Sequence, residues 1–146
     1  MKDAVPDWAL ARLREARVAR LGTADAGGRP LVVPVCYVFD GAHVYSAIDA
    51  KPKRTRRLRR LANVEANPQA SLVVDEYDED WSRLWYVIVD GHASILGEGD
   101  EFSRAVDLLV AKYPQYRTLT LDRDAGTLIR IEPARIAAWR FRDGAG

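Results

Sequence analysis

The feature of this sequence best suited to chemistry is a run of basic side chains in the segment DAKPKRTRRLRRLANVEANP. Seven lysines and arginines stand between Lys51 and Arg60 without an acid among them, although the chain's net charge is only +1. Four polar residues fall where a predicted strand ends and a predicted helix begins, namely Lys51, Lys53, Arg54 and Thr55. A helix N-terminus presents free N–H groups and a partial positive charge, so basic side chains there are placed to bind a phosphate or a carboxylate. Without an anion these cations oppose the helix dipole, and such a conflict is typical of functional sites.

Two other uses of the basic run stay open at this stage. Arginine-rich helices are often solvated faces, and the acidic run DEYDED, residues 75–80, could partner the basic run within a subunit or across a dimer. The same side chains could clamp nucleic-acid phosphates, with Trp81 and Trp85 as stacking platforms. The near-zero net charge and the nearby acids argue against that use, because they lower any broad positive field. We therefore expect no nucleic-acid partner.

The composition is that of an ordinary globular domain. The chain has 146 residues, 48% hydrophobic and 29% charged, which predicts one domain over residues 1–146 with a single core. No apolar run approaches the roughly 20 residues of a membrane helix, and MKDAVPDW has no signal-peptide pattern, so we expect a cytoplasmic protein without a membrane partner. One cysteine and two histidines give no zinc spacing, so no metal site is predicted. Cys36, in an apolar run, is expected to be a small core residue.

The elements that must position these residues follow from periodicity and turn residues. Helices are predicted in PDWALARLREAR, from about Lys53 to the ANP before Pro68, and from an N-cap at Asp100. Strands are predicted at Val18–Thr23 and in LVVPVCYVF, AHVYSAI, QASLVVDEY, RLWYVIVDGHASIL and TLIRIEPARIAAWRF. The run LVVPVCYVF is expected to be buried on both sides, and the last strand to break at Pro133. Tight turns such as DG favour antiparallel pairing, so we predict a mainly β protein, a closed barrel with helices packed outside.

The order of several segments resembles a known superfamily. GRPLVVPVCYVFDGAHVYSA, KPKRT, ANPQASLVV and WYVIVDGHASI are similar to the split β-barrel flavin reductases related to pyridoxamine 5′-phosphate oxidase. LRRLANVEANP and DEDWSRLW most resemble its coenzyme F420-dependent branch. The match runs from about Arg17 to Phe141. The resemblance implies a six-stranded antiparallel split β-barrel that forms a homodimer, with two cofactor sites at the subunit interface.

The resemblance also implies which residues hold the cofactor. Basic residues after the third strand hold the cofactor tail in this superfamily, which carries over to Lys51, Lys53, Arg54, Thr55 and Arg57, with a further hydroxyl from Ser46. Pro34 corresponds to a strand position beside the ring, where a residue without an N–H suits a ladder interrupted by a ligand; an ordinary edge-strand proline fits equally well. Trp85 is assigned either to stacking near the ring or to filling the barrel.

The choice of cofactor depends on the length of its anionic tail. FMN ends in one phosphate, whereas the deazaflavin continues through a phosphodiester and lactate into several glutamates, so seven basic residues in ten positions favour the deazaflavin. We expect hydride transfer between coenzyme F420 and a small organic substrate. The proton donor is Tyr37, Tyr45, Tyr86 or solvent, and no catalytic residue is assigned. The alternatives are an FMN-binding pyridoxamine 5′-phosphate oxidase-like protein and a non-catalytic flavin- or tetrapyrrole-binding module.

Overall fold

The structure is a computed structural model that describes residues 4–48, 54–117 and 126–143, without the side chains of residues 54–58. Within these ranges the chain forms three α-helices and seven β-strands. The helices are α1 (Asp7–Glu15), α2 (Arg54–Ala66) and α3 (Asp100–Lys112). The strands are β1 (Ala19–Ala24), β2 (Pro30–Val35), β3 (Tyr37–Phe39), β4 (Val44–Ile48), β5 (Gln69–Glu76), β6 (Trp85–Leu96) and β7 (Thr127–Arg140).

All seven strands belong to one antiparallel sheet in the order β2-β1-β5-β6-β7-β4-β3. Strands β2 and β3 stand at opposite ends of that order, yet only Cys36 separates them along the chain. Two ends of a sheet that are one residue apart must curl towards each other. This curled sheet with flanking helices confirms the predicted mainly β split barrel. The count is seven rather than six because the predicted strand LVVPVCYVF divides at Cys36.

The expectation that LVVPVCYVF is buried on both sides is wrong for its first half. Strand β2 alternates between exposed and more buried positions, with Val32 64% exposed, whereas all three residues of β3 are buried. The physical reason is that β2 is an edge strand with one face that no other described element covers. Cys36, expected in the core, is exposed at the junction between the two strands.

The turns formed where glycine and aspartate indicated them. Gly41 has a φ of 100°, and the Asp40 carboxylate accepts from the backbone N–H groups of Ala42 at 2.8 Å and His43 at 2.7 Å. This turn joins β3 to β4 as an antiparallel hairpin, as predicted. The prediction that Asp100 is the N-cap of the third helix was wrong by one residue, because Gly99 is the N-cap and Asp100 is the first residue of α3.

Strand β7 does not break at Pro133. It continues through the proline, and the β6–β7 register shifts between Asp90 and Gly91, with Gly91 paired to Pro133. A bulge therefore accommodates the missing N–H that would otherwise interrupt the ladder. A Cβ on Gly91 would stand 2.2 Å from the carbonyl oxygen of Glu132, so only glycine allows this close approach.

The buried residues form two clusters. The larger one lies on the inner face of the sheet and includes Leu21, Leu72 and Val87, with Leu13 of α1 and Val64 of α2 packed into it. The smaller one joins α3 to β3, β4 and β7, and its members include Phe102, Leu109, Tyr45 and Leu128. Among the helices that the structure describes, none combines the length and apolar character required to cross a bilayer.

Candidate functional site

The basic run spans a strand-to-helix junction, as the sequence predicted. Strand β4 ends at Ile48 and α2 begins at Arg54, and the first turn of α2 contains no acid. Lys51 and Lys53 lie outside the described residues. Arg54, Thr55 and Arg57 lie in the first two turns of α2, and their side chains also fall outside the description. Their role in anion binding stays a prediction.

Helix α2 is anchored to the barrel through its second half. The amide of Asn63 donates a hydrogen bond to the hydroxyl of Thr23 at 3.1 Å, and both side chains are buried. Val64 is 4% exposed and packs into the main core, whereas Arg59 is exposed. A buried pair of hydrogen-bonded polar side chains next to an apolar contact favours one position and orientation of the helix against β1. The sheet therefore positions the helix whose first turns carry the predicted anion site.

Ser46, predicted to add a hydroxyl beside the cofactor tail, and Pro34, predicted to lie beside the ring, have different environments. Ser46 is 1% exposed, and its hydroxyl donates to the carbonyl oxygen of Cys36 at 3.0 Å. Pro34 is exposed on edge strand β2, opposite Arg20 of β1. The edge location suits a residue without an N–H, and both interpretations of this proline stay open. A cofactor role for Ser46 would require its hydroxyl to exchange or share the Cys36 bond.

Trp85 points to the inner face of the sheet and is 7% exposed. Its indole N–H donates to Glu76 at 2.9 Å, and the guanidinium of Arg12 lies 4.7 Å from the ring centroid. Pro34 belongs to a row of paired residues that runs through Val73 to Ile88. Ile88 and Trp85 are three residues apart on β6, so this row lies on the face of the sheet opposite to Trp85. Within one chain the structure therefore does not bring Trp85 and Pro34 to the same face of the sheet.

The outer face, defined here as the side of β2, β1, β5, β6 and β7 that carries Pro34 and Ile88, combines apolar residues such as Val32 and Val73 with charged residues such as Arg20 and Asp90. Val32 is 64% exposed there and Tyr86 is 38% exposed. Gly22 lies between Val32 and Ser71, and a Cβ added to it would have its nearest neighbour, the Ser71 carbonyl oxygen, at 3.6 Å. Exposed apolar side chains on one face of a sheet make that face a candidate surface for binding a ligand or another protein.

The three tyrosines considered as proton donors differ in accessibility. The Tyr37 hydroxyl donates to the carbonyl oxygen of Leu13, and the Tyr45 hydroxyl donates to Glu101 at 2.6 Å. Burial raises the pKa of both phenols above their usual value. Tyr86 is on the outer face, stacked on Trp139 at a centroid distance of 5.5 Å. Of the three, Tyr86 is the tyrosine that a molecule at the outer face could reach.

The acidic run has partners other than the basic run among the side chains that the structure describes. Glu76 accepts from Trp85 and pairs with Arg12 at 3.7 Å, and Asp78 pairs with Arg83 at 3.3 Å. Asp80 caps the short 3₁₀ helix Trp81–Arg83. Sequence reasoning missed the arginine-lined cavity to which several of these residues belong, because its walls come from both ends of the chain. Among described residues, no group of three His, Cys, Asp or Glu side chains could hold a metal ion.

A curled antiparallel sheet whose edge strands β2 and β3 are one residue apart in the chain, with helices packed against it, is typical of the split β-barrel class of flavin-binding proteins. The family model described as pyridoxamine 5′-phosphate oxidase matches residues 6–140, and the chain belongs to this family. Comparison with curated protein sequences finds no significant match.

Solved structures share the fold over nearly the whole chain. HutZ, a heme storage protein from Vibrio cholerae, is 21% identical with a TM-score of 0.70, covering 92% of this chain and 93% of HutZ. A FAD-binding protein from Mesorhizobium loti is 23% identical with a TM-score of 0.68, covering 92% and 94%. An F420 reductase is 21% identical with a TM-score of 0.66, covering 91% and 98%. These relatives bind different cofactors, so the shared fold alone does not select one.

Proposed function

We propose that this protein binds the deazaflavin coenzyme F420 and transfers a hydride between it and a small organic molecule. The observation that carries the proposal is the basic start of α2, where Arg54, Arg56 and Arg57 fall in the first turns without an acid. Free N–H groups and guanidinium groups together attract a phosphodiester, and further basic residues extend the positive charge towards a carboxylate tail. The fold is compatible with this assignment, because an F420 reductase shares it.

The chain's own residues have binding and orienting roles in this proposal. Lys51, Lys53, Arg54, Thr55 and Arg57 hold the anionic tail, and Pro34 borders the ring on β2. Bound coenzyme would supply the hydride chemistry itself. Tyr86, exposed on the outer face, is our candidate for holding the proton that accompanies hydride transfer.

We also propose that two copies of the chain associate through the outer face. The exposed side chain of Val32, together with Val73 and Ile88 on the same face, would be covered by a second subunit. Such burial removes apolar area from water and stabilises the pair. A dimer formed in this way could bring side chains of the second subunit to a ring bound beside Pro34. The cofactor sites would then lie at the interface.

Binding titrations of the purified full chain would test the cofactor assignment. Oxidised F420, FMN and heme are titrated separately at two salt concentrations, with intrinsic fluorescence and calorimetry as readouts. We expect F420 to bind most tightly, and Arg54→Gln to weaken it about tenfold, as one lost charge-assisted bond predicts. Arg59→Gln is the matched control, because Arg59 lies on the same helix and is exposed beyond its first turns. It should change the dissociation constant less than threefold by the same reasoning.

The other outcomes separate the alternatives. Tighter binding of FMN than of F420 would make the protein an FMN-dependent member of the family. Tight binding of heme alone would favour a tetrapyrrole-binding module. If F420 binds but its reduced form is not consumed with a panel of enones, quinones and other activated double bonds, a cofactor carrier becomes the better description. Equal weakening by Arg54→Gln and Arg59→Gln would count against the tail site.

A further inference from the structure

A cavity of about 280 Å³ lies between α1 and the ends of three strands. Its floor is one cross-strand row formed by Glu76 of β5, Trp85 of β6 and Arg140 of β7, which are directly paired in the sheet. Directly paired residues share a face, so all three point to the inner side of the barrel. Trp8 and Arg12 of α1 form the facing wall.

Guanidinium groups dominate the lining of this cavity. Arg12, Arg83, Arg140 and Arg142 line it, whereas Glu76 is the one acid in the lining of this cavity among described residues. That carboxylate already accepts the Trp85 N–H and pairs with Arg12. Arg83 and Arg140 pair with Asp78 and Asp143, which lie outside the lining. Arg142 is therefore the arginine of the lining whose charge no described carboxylate balances.

Two of the arginines are held by tryptophan rings. The Arg12 guanidinium lies 4.7 Å from the Trp85 ring centroid, and the Arg140 guanidinium lies 4.7 Å from the Trp8 ring centroid. A guanidinium stacked on an aromatic face keeps its N–H donors along the edge of its plane. That edge matches the oxygens of a carboxylate or phosphate in bidentate geometry, and the stacking reduces the rotamer freedom lost on binding.

Donor groups remain available after the internal contacts are made. Arg140 uses its Nε to donate to Asp143 at 2.6 Å, and its terminal amino groups have no hydrogen-bond acceptor within the described residues. Arg142 is exposed and has no ion pair in the part of the chain that the structure describes. Leu84 and the two indole rings add apolar surface beside these donors. The arrangement offers charge for an oxyanion and apolar contact for a compact organic body.

We propose that this cavity binds the carboxylate or phosphate group of a small organic molecule through Arg140 and Arg142. The site is independent of the proposed F420 function, since it uses none of the residues of the basic run. Its ligand would be held between the tryptophan-stacked arginines of α1 and β7, with the organic body against Trp8 and Leu84.

Isothermal titration calorimetry on the full chain without flavin tests this site. The probes are benzoate, succinate, phenyl phosphate and inorganic phosphate at constant ionic strength. Arg142→Gln and Arg140→Gln should each weaken binding of the best probe about tenfold, as loss of one charge-assisted contact predicts. The matched control is Arg29→Gln, because Arg29 is exposed in the turn between β1 and β2. Neither this variant nor Arg54→Gln should change the affinity.

The outcomes are decisive in both directions. Preference for benzoate or succinate supports the site and identifies an organic acid, and preference for a phosphate probe supports it and identifies a phosphorylated ligand. Absence of binding by all four probes overturns the proposal, and so does equal weakening by Arg29→Gln. Arg142 is exposed, so its variant should fold even if Arg140→Gln does not, and thermal melting checks both. Because the probes contain no flavin, failure here leaves the F420 titration unaffected.

Discussion

Replacing Gly91 by alanine probes the closest backbone approach in the sheet. A Cβ at this position would stand 2.2 Å from the Glu132 carbonyl oxygen, 2.9 Å from its carbonyl carbon and 3.0 Å from a methyl group of Ile131. Ordinary contact begins at 3.4 Å, so the oxygen would have to move by about 1.2 Å. It belongs to the backbone of β7 and cannot rotate away as a side chain could.

The expected cost of Gly91→Ala lies at the upper end for overpacking, about 3 kcal/mol. For a chain of this size that cost lowers Tm by roughly 6–12 °C. Thermal melting followed by circular dichroism measures the change, and urea unfolding gives the free energy independently. The matched control is Gly97→Ala, six residues after Gly91, because the atom nearest to a Cβ added there is 4.0 Å away. The free energy of unfolding of Gly97→Ala should lie within about 1 kcal/mol of the wild-type value.

One result would refute this reasoning directly. If both Gly91→Ala and Gly97→Ala melt within about 2 °C of the wild type, the strands at the bulge do not approach as closely as described. A loss of the same size in both variants would instead indicate that any added methyl group near this end of β6 is harmful, whatever its distance from β7.

Three further predictions concern the buried polar pair, a half-buried lysine and the outer face. Asn63→Ala should lower the free energy of unfolding in urea by about 2 kcal/mol, because the Thr23 hydroxyl loses its hydrogen-bond donor. The double variant Asn63→Ala/Thr23→Val should recover part of that free energy. Burial lowers the pKa of Lys112 from 10.5 to about 8, so the unfolded chain binds more protons between these values and stability rises with pH there. The free energy of unfolding of the wild type, relative to that of Lys112→Met, should therefore rise by roughly 1 kcal/mol from below pH 8 to pH 10.5, after allowance for the partial exposure of Lys112. A difference between the two proteins that does not change with pH would contradict this. Ile88→Asp should convert a dimer to a monomer in light scattering, whereas Leu108→Asp, on exposed α3 surface, should not; a dimeric Ile88→Asp variant would exclude the outer face as the interface.

Local patterns predicted most of the elements. Residues 6–17 contained the helix α1, the DG turn produced the β3–β4 hairpin, and alternation in RLWYVIVDGHASIL identified β6 with Trp85 and Val87 inward. These features depend on neighbouring residues, because helical and strand periodicities and the φ preference of glycine act over a few positions. The junction before Arg54 was predicted for the same reason.

Pairing between distant strands determined what local patterns could not. The sequence shows LVVPVCYVF as one apolar strand, but the sheet order makes β2 an exposed edge and β3 a buried one. Pro133 indicates a break when only its missing N–H is considered, whereas a bulge opposite it lets the strand continue. Burial depends on which elements cover a strand, and that information is not contained in the strand itself.

Residue order over short stretches predicted most of the helices and strands, the resemblance to the family and the position of the basic run at a strand-to-helix junction. Which side chains meet depends instead on how distant strands and helices pair. The tertiary structure placed Trp85 on the inner face and Pro34 on the outer one, and it joined Arg12 near the start of the chain to Arg140 near its end. Strands β5, β6 and β7 pair side by side, and α1 and the C-terminal end of β7 therefore meet at one cross-strand row.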